Sequence, residues 1–228
     1  MRLDKFLAHT ANLTRTLAKQ VIRQQRVTIN LKIAQSPSQV VLTSDEIRFD
    51  DKLLRFPGNR YIMLHKPAGY VCTRDDSHHA DIFSLLQNSD DLHAAGRLDA
   101  DTTGLVLVTN DGQWSHRVTA PRHKCDKVYW VTLAQALTNS QISQITQGVM
   151  LHGEDKPTLP AQLESVSDLQ VRFTIHEGKY HQVKRMFAAV ENKVVTLHRE
   201  SIGQIKLDNG LQPGEWRELT NEEFRSIQ

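Results

Sequence analysis

One stretch of the chain has the residue types of a reactive site. From Gly96 to Gly104 it reads Gly-Arg-Leu-Asp-Ala-Asp-Thr-Thr-Gly, and the apolar segment Leu105–Val108 follows at once. A loop rich in glycine and charge that leads into a short strand can hold a carboxylate at the rim of a sheet, where a substrate can reach it. Such a carboxylate, here Asp99 or Asp101, can act as a nucleophile or as a general base.

The same pattern of acids occurs in calcium loops, in phosphatases and in ordinary turns. A calcium loop that begins at Asp99 would need an oxygen-rich side chain at its fifth position and a bidentate Glu at its twelfth, where the chain has Thr103 and Asn110. Asp-x-Asp-x-Thr also matches haloacid-dehalogenase phosphatases, but the residues before it do not form the buried parallel strand of that class. Turn acids commonly accept backbone hydrogen bonds, and we favour this role for Asp101 and Asp111.

The stretch Gly96–Gly104 resembles the catalytic loop of the RNA pseudouridine synthases that act on ribosomal RNA. Three more segments match motifs of that family, in the family's order: Lys66–Tyr70 after a strand, Lys127–Val131 with a tyrosine, and Glu177–Met186 with a cation. The resemblance implies that Asp99 is the essential catalytic residue.

The resemblance also implies roles for side chains around the catalytic carboxylate. Tyr129 would stack on the flipped uracil, and Lys184 would be the cationic partner of the carboxylate, with the neighbouring Arg185 as a weaker candidate. Many members of the family have arginine at the position of Lys184, and a lysine does not pair bidentately. Arg97 would fill the stack vacated by the flipped base or hold a phosphate, or else form a surface ion pair with Asp101.

The reaction of this family explains which cofactor motifs are absent from the sequence. Conversion of uridine to pseudouridine breaks the N1–C1′ bond, turns the uracil and rejoins it through C5, without redox chemistry or phosphate energy. We therefore expect no cofactor. We expect no metal either: His116, His123 and Cys125 could be ligands, but structural zinc normally has four ligands in paired spacing.

Two further segments indicate the substrate within the family. Asn110–His116 and Gln182–Glu191 most resemble members that modify one uridine of small-subunit (16S) ribosomal RNA. The expected partner is that RNA or a small-subunit assembly particle. Large-subunit RNA is the alternative substrate, and a non-catalytic ribosome-associated RNA-binding protein is the alternative from another class.

The N-terminal region is basic although the whole chain is not. Its first 32 residues have a net charge of +6, and the rest of the chain has −4. A helix is predicted from the N-cap Thr14 to about Gln25, with a buried side of Leu17, Ala18, Val21 and Ile22, and positions 15, 19, 23 and 26 share an arc of roughly 80° away from it. The predicted RNA-binding side chains are Arg2, Lys5, Arg15, Lys19, Arg23 and Arg26.

The pattern of elements predicts an α+β protein of two domains. Residues 1–55 resemble the small ribosomal protein S4-like RNA-binding domain, residues 56–60 form a linker, and residues 61–228 form the catalytic domain. Strands outnumber helices in the larger part and do not alternate with them, so a mixed, mainly antiparallel sheet is expected rather than a doubly wound one. The segments predicted as strands are 27–30, 40–42, 47–49, 61–64, 105–109, 128–133, 169–175 and 194–198, and those predicted as helices are 112–119, 140–148, 181–191 and a short one after Thr220.

Bulk properties place the protein in a reducing compartment. Cys72 and Cys125 are too few for a disulfide scaffold. The chain has neither an apolar run of the roughly 20 residues that span a bilayer nor the apolar stretch of a signal peptide after Met1. We expect a cytoplasmic protein that does not bind membranes and acts as a monomer.

Overall fold

A computed structural model of the protein describes residues 1–11, 13–55, 58–120 and 125–227. The chain divides into two compact units, Met1–Asn59 and Arg60–Gln228. The first two residues of the predicted linker lie outside the described residues.

The N-terminal unit packs two helices and a small antiparallel sheet around one core. The core contains Phe6 of the first helix, Ile22 of the second and Ile47 of the sheet. The second helix begins as predicted, because the Thr14 hydroxyl accepts a hydrogen bond from the Leu17 N–H at 3.2 Å. The elements are α1 (Leu3–Thr10), α2 (Arg15–Arg23), β1 (Val27–Ile29), β2 (Lys32–Ile33), β3 (Ile47–Phe49) and β4 (Lys52–Leu54), in the sheet order β2-β1-β3-β4.

Two details predicted for the second helix are wrong. Leu17 is 45% exposed, because it lies at the edge of the stripe formed by Ala18, Val21 and Ile22. The helix also ends at Arg23, earlier than predicted, and the chain then turns through Gln25, which has a φ of 57°. Position 26 is therefore off the helix and does not share its cationic face.

The strand predicted over residues 40–42 is reduced to a single bridge. Val40 pairs with Arg2 alone, and the Val41 N–H donates to the Met1 carbonyl at 2.8 Å. Val41 is buried, but Val40 and Leu42 are exposed. The segment has the apolar composition of a strand without a neighbouring strand long enough to continue the pairing.

The C-terminal unit contains most of the elements predicted for it, with ends shifted by a few residues. Its strands are β5 (Tyr61–Lys66), β6 (Tyr70–Val71), β7 (Ala80–Asp81), β8 (His93–Ala94), β9 (Thr103–Thr109), β10 (Lys127–Leu133), β11 (Gln162–Ser165), β12 (Gln170–Ile175), β13 (Val194–Ile202), β14 (Ile205–Lys206) and β15 (Trp216–Glu218). Its helices are α3 (Gly112–Thr119), α4 (Asn139–Gln147), α5 (Gln182–Ala189) and α6 (Asn221–Arg225), with one 3-10 turn at Ile82–Leu85.

A large mixed sheet organises this unit. Its strand order is β11-β12-β10-β13-β9-β5-β15, with β14 beside β13 and β8 beside β9. The pairing of β9 with β13 is parallel, and the other pairings that the described residues form in this sheet are antiparallel. The prediction of a mixed, mainly antiparallel sheet is confirmed.

Both faces of β5 and β9 are buried along most of their length. On β5, Ile62 and Leu64 belong to one apolar cluster and Met63 to another, as the alternation of side chains along a strand requires. α5 covers the first face through Met186 and Phe187. α3 packs with the cluster on the opposite face.

The described residues offer neither a membrane-spanning helix nor a metal cluster. None of the helices described is both long and apolar enough to cross a bilayer. The described residues also contain no group of three or more His, Cys, Asp or Glu placed to hold a metal ion. His123, one of the candidate ligands, lies outside them.

Candidate active site

A buried lysine holds the loop that carries Asp99. Lys66, the last residue of β5, is fully buried, and its Nζ donates to the carbonyl oxygens of Pro67, Ala100 and Thr102 at 2.9, 3.2 and 2.7 Å. The Gly69 N–H adds a second tie to the Ala100 carbonyl at 2.7 Å. The Lys66–Tyr70 segment, which matches a family motif, therefore lies directly against the loop that carries Asp99.

The end of the loop depends on a glycine at the junction of β9 and β13. Gly104 has a φ of +106° and pairs with Arg199 across the parallel strands. A Cβ at Gly104 would lie 2.6 Å from the Arg199 backbone nitrogen and even closer to its carbonyl oxygen. Only glycine satisfies both the backbone conformation and the approach of the two strands.

Asp99 lies between two basic side chains. Lys184 Nζ, on α5, is 3.0 Å from Asp99 Oδ2, and His181 Nε2, just before that helix, is 3.2 Å from Oδ1. The Asp99 side chain is about one quarter exposed, so the carboxylate is partly desolvated and still reachable. The structure therefore brings together the two residues that the sequence paired, Asp99 and Lys184.

Lys184 also serves a second carboxylate. Its Nζ lies 2.6 Å from Oδ1 of Asp101, whose side chain is mostly exposed. Partial burial lowers the pKa of Lys184, but hydrogen bonds to Asp101 and Asp99 outweigh it and raise the pKa above the usual value, while the bond from Lys184 lowers the pKa of Asp101. Asp101 is thus the partner of Lys184 rather than a simple turn acid or the partner of exposed Arg97.

Asp111 has the structural role that the sequence predicted. Its Oδ1 accepts the N–H groups of Gln113 and Trp114, both at 3.0 Å, and so caps α3. Its other oxygen accepts the Tyr61 hydroxyl at 2.9 Å.

Arg185 is directed away from the Asp99 carboxylate. Its Nη1 lies 3.3 Å from Glu154 and 3.0 Å from the Tyr180 carbonyl, and Nη2 donates to the His152 carbonyl. Lys184, not Arg185, is the cation that contacts Asp99 in this structure.

Tyr129 lies on β10 and is only 6% exposed. Its hydroxyl is 3.5 Å from Nη1 of Arg199, and the guanidinium carbon lies 6.0 Å from the centre of its ring. The same Nη1 is 3.5 Å from the Arg97 carbonyl, so Arg199 connects Tyr129 to the loop two residues before Asp99.

Sequence reasoning missed Arg199 and His181. Arg199 is 2% exposed, its Nε donates to the Leu105 carbonyl at 2.8 Å, and its Nη2 has no hydrogen-bond partner among the described residues. Because Leu197, Arg199 and Ser201 alternate along β13, a longer predicted strand would have placed this arginine inside. For His181, which has a φ of +47°, no local pattern indicates a contact with Asp99.

The N-terminal cations divide into paired and unpaired groups. Arg2 and Arg15 lie 2.9 and 3.5 Å from the buried carboxylate of Asp4, and Arg26 pairs with Asp50. Acidic side chains therefore offset three of the six cations predicted to bind RNA. Of the six predicted RNA-binding side chains, Lys5, Lys19 and Arg23 are exposed and have no carboxylate partner within the described ranges.

Family models and known relatives agree with this fold. The model for RNA pseudouridylate synthases matches residues 60–189, more than half of the chain, and the model for S4 domains matches residues 1–47. An S4 domain followed by a mixed sheet with a loop-borne aspartate defines a class of RNA-modifying enzymes. The chain belongs to the RNA pseudouridylate synthase family, as the sequence motifs predicted.

Two curated relatives and one solved structure have about half of their residues identical to those of this chain. The chain is 51% identical to the ribosomal small subunit pseudouridine synthase A of Vibrio cholerae serotype O1 over 229 residues, covering 100% of this chain and 99% of that protein. It is also 51% identical to the protein of that name from Escherichia coli strain K12, with full coverage of both. Among solved structures, a pseudouridylate synthase crystal structure matches with a TM-score of 0.73 and 49% identity over both full chains.

Proposed function

We propose that this protein isomerises one uridine of small-subunit ribosomal RNA to pseudouridine, with Asp99 as the essential catalytic residue. The observation that carries the proposal is the position of the Asp99 carboxylate between Lys184 and His181. Full-length similarity to proteins named for the ribosomal small subunit supports the substrate. The proposal places the protein in the cytoplasm as a monomer, acting on 16S RNA or on a small-subunit assembly particle.

The chemistry requires a charged carboxylate. The N1–C1′ bond breaks, the uracil turns, and C5 bonds to C1′; C5 then loses its proton and N1 gains one. Asp99 can attack C1′ or remove the proton from C2′, and both routes need its ionised form. The Lys184 ammonium stabilises that negative charge from 3.0 Å, and its raised pKa keeps it protonated at neutral pH.

Tyr129 and Arg97 are the proposed contacts for the flipped nucleotide. Extruding a base from a helix costs a few kcal/mol, and stacking on an aromatic ring offsets part of that cost. Because Tyr129 is only 6% exposed, the uracil would have to enter the site fully to touch it. Exposed Arg97 would take the place of the flipped base or bind a phosphate.

The two units would divide the work between affinity and chemistry. We assign RNA binding to residues 1–55, a linker to residues 56–60 and catalysis to residues 61–228. The cations of the N-terminal unit would contact phosphates, which give affinity without reading sequence.

Tritium release tests the proposal directly, since formation of the new C5–C1′ bond expels the hydrogen from C5. Small-subunit ribosomal RNA transcribed with [5-³H]uridine is incubated with wild type, with Asp99→Ala and with Asp168→Ala. Asp168 is an exposed acid between β11 and β12, so its removal controls for the loss of one negative charge. We expect release stoichiometric with RNA from wild type and Asp168→Ala, and none from Asp99→Ala, which should still bind the RNA.

Other results would contradict the proposal in distinct ways. Release from Asp99→Ala at the wild-type rate would remove Asp99 from the chemistry. Release from large-subunit RNA alone would reassign the substrate. Tight binding without release from naked RNA or from assembly particles of either subunit would indicate a binding protein.

A further inference from the structure

An exposed aromatic ring stands beside the catalytic carboxylate. Tyr180 is 73% exposed, although it lies in the segment that leads into α5. One face of its ring stacks on the imidazole of His181, with ring centres 3.8 Å apart and an angle of 19° between the planes. The stack occupies one face of the Tyr180 ring and leaves most of the side chain open to solvent.

This stack reaches directly to Asp99. His181 Nε2 lies 3.2 Å from Asp99 Oδ1, so one imidazole separates the tyrosine ring from the carboxylate. A group resting on the outer face of Tyr180 would lie about two stacking distances from the imidazole, close to any nucleotide bound at Asp99. The spacing suits the neighbour of a flipped uridine rather than the uridine itself.

Hydrogen bonds hold the segment in this conformation without RNA. The Tyr180 carbonyl accepts from Arg185 Nη1 at 3.0 Å, and the Lys179 N–H donates to Gln182 Oε1 at 2.8 Å. The Gln182 amide in turn donates to Glu177 at 2.8 Å. His181 keeps a positive φ of 47°, a conformation that few non-glycine residues adopt without support from their surroundings. The Tyr180–His181 stack is therefore preorganised, which reduces the entropy lost on binding.

We propose that the Tyr180–His181 stack is the binding site for the base of a nucleotide that directly adjoins the target uridine. The inference rests on the proposed function and deepens it by adding a contact outside the reacting nucleotide. Every nucleobase has a π face, so an open tyrosine ring fits single-stranded RNA, and exposed Arg97 in the same loop as Asp99 offers a cation for the backbone.

The test is a thermodynamic cycle between the tyrosine and the flanking bases. The modified uridine is first located in wild-type reaction product by carbodiimide treatment and reverse transcription. Short RNAs are then made with that uridine and with an abasic nucleotide on its 5′ side, on its 3′ side, or on neither. Single-turnover tritium release with wild type, Tyr180→Ala and Tyr180→Phe gives the half-saturating enzyme concentration for each RNA.

For the intact RNA, Tyr180→Ala should raise the half-saturating concentration by about 5- to 150-fold, the range for loss of one base–aromatic stack. Tyr180→Phe, which keeps the ring, should stay within about twofold of wild type. An abasic nucleotide on one side should weaken wild type by a similar factor, and Tyr180→Ala should then add nothing.

Two results would overturn the inference. If the effects of Tyr180→Ala and of both abasic substitutions multiply, the ring does not bind a flanking base. If Tyr180→Phe is impaired as much as Tyr180→Ala, the hydroxyl rather than the stacking face matters. In both cases wild type still releases tritium, whereas failure of the proposed function appears as no release from any RNA, which removes this inference as well.

Discussion

The Lys66 ammonium donates a hydrogen bond to the Thr102 carbonyl at 2.7 Å, entirely out of contact with solvent. With its bonds to two further carbonyls, it ties the end of β5 to both sides of the turn that follows Asp99. Burial lowers the pKa of Lys66, so the protein bears a desolvation penalty to keep this cation inside. The hydrogen bonds of the buried ammonium fix the position of the loop that carries Asp99.

Replacement of Lys66 should therefore lower both stability and activity. Lys66→Met keeps much of the volume but removes a donor from three backbone carbonyls, of which that of Ala100 keeps the Gly69 N–H, and one unsatisfied buried group costs about 1–3 kcal/mol. Urea unfolding should show a lower midpoint, and the folded variant should release tritium more slowly because the loop is loosened. Lys206→Met, at an exposed lysine, is the control. A Lys66→Met protein as stable and active as wild type would mean that the loop holds its position without this ammonium.

Gly104 should tolerate no side chain. In Gly104→Ala the new Cβ would meet the Arg199 backbone at 2.6 Å or less, on a residue whose φ is already +106°. We expect a loss of at least about 2–3 kcal/mol in the free energy of unfolding. Gly112→Ala is the matched control, because no atom lies within 4 Å of its Cβ position and alanine favours the first turn of α3. Equal stability of the two variants would contradict the close approach of β9 and β13.

Substitutions at Lys184 and at Asp101 should lower the single-turnover rate to different degrees. Lys184→Met removes a preorganised charge and should lower the single-turnover rate about 100-fold or more, whereas Lys184→Arg should retain most of the rate. Asp101→Asn leaves Asp99 as the remaining carboxylate within 4 Å of Lys184 in the described part of the chain, and should change the rate only a few-fold. If Asp101→Asn were as damaging as Lys184→Met, Asp101 itself would take part in the reaction.

Local patterns predicted the parts of the structure that depend on local physics. α3 spans Gly112–Thr119 as predicted, and the capping box of Thr220 and Glu223 begins α6. Asp99 and Lys184 were found because each lies in a contiguous motif. Their 3.0 Å contact joins residues 85 positions apart in the chain, so the motifs indicated the pair and only the fold shows the distance.

Residues whose role arises from tertiary contacts were not predictable in this way. His181 contacts Asp99 from a backbone with a φ of +47°, an uncommon conformation that no local sequence pattern indicates at this position. The sequence predicted Arg26 on the cationic face of a helix. In the structure the chain turns at Gln25, and Arg26 pairs with Asp50. Arg199 lies next to Glu200 in the chain, and nothing in that local sequence indicates its burial, which accompanies the parallel pairing of β13 with β9.

His198 should make stability depend on pH near neutrality. Burial lowers its pKa, and the neighbouring His65 ring, whose centre is 5.5 Å away, lowers it further. Below the unfolded value of about 6.5 the unfolded chain binds a proton that the folded chain resists, so stability falls as pH falls until the folded pKa is passed. The urea midpoint should drop between about pH 7.5 and about pH 5.5, and less steeply in His198→Asn. His78→Asn, which removes an exposed histidine, is the control. If the urea midpoint of His198→Asn depends on pH as steeply as that of His78→Asn, other groups cause the effect.

The unpaired cations of α2 should dominate the salt dependence of RNA binding. Lys19 and Arg23 are exposed and have no carboxylate partner among the described residues, whereas Arg26 is neutralised by Asp50. Each phosphate contact contributes about 0.7–0.9 to the slope of log K against log salt, so Lys19→Ala with Arg23→Ala should reduce that slope by roughly 1.5. The slope is measured by titrating small-subunit RNA with these variants in an Asp99→Ala background. Arg26→Ala should change the slope little, because the Arg26 guanidinium already has a counterion within the protein. A larger change from Arg26→Ala than from the double variant would place the RNA on the other side of this unit.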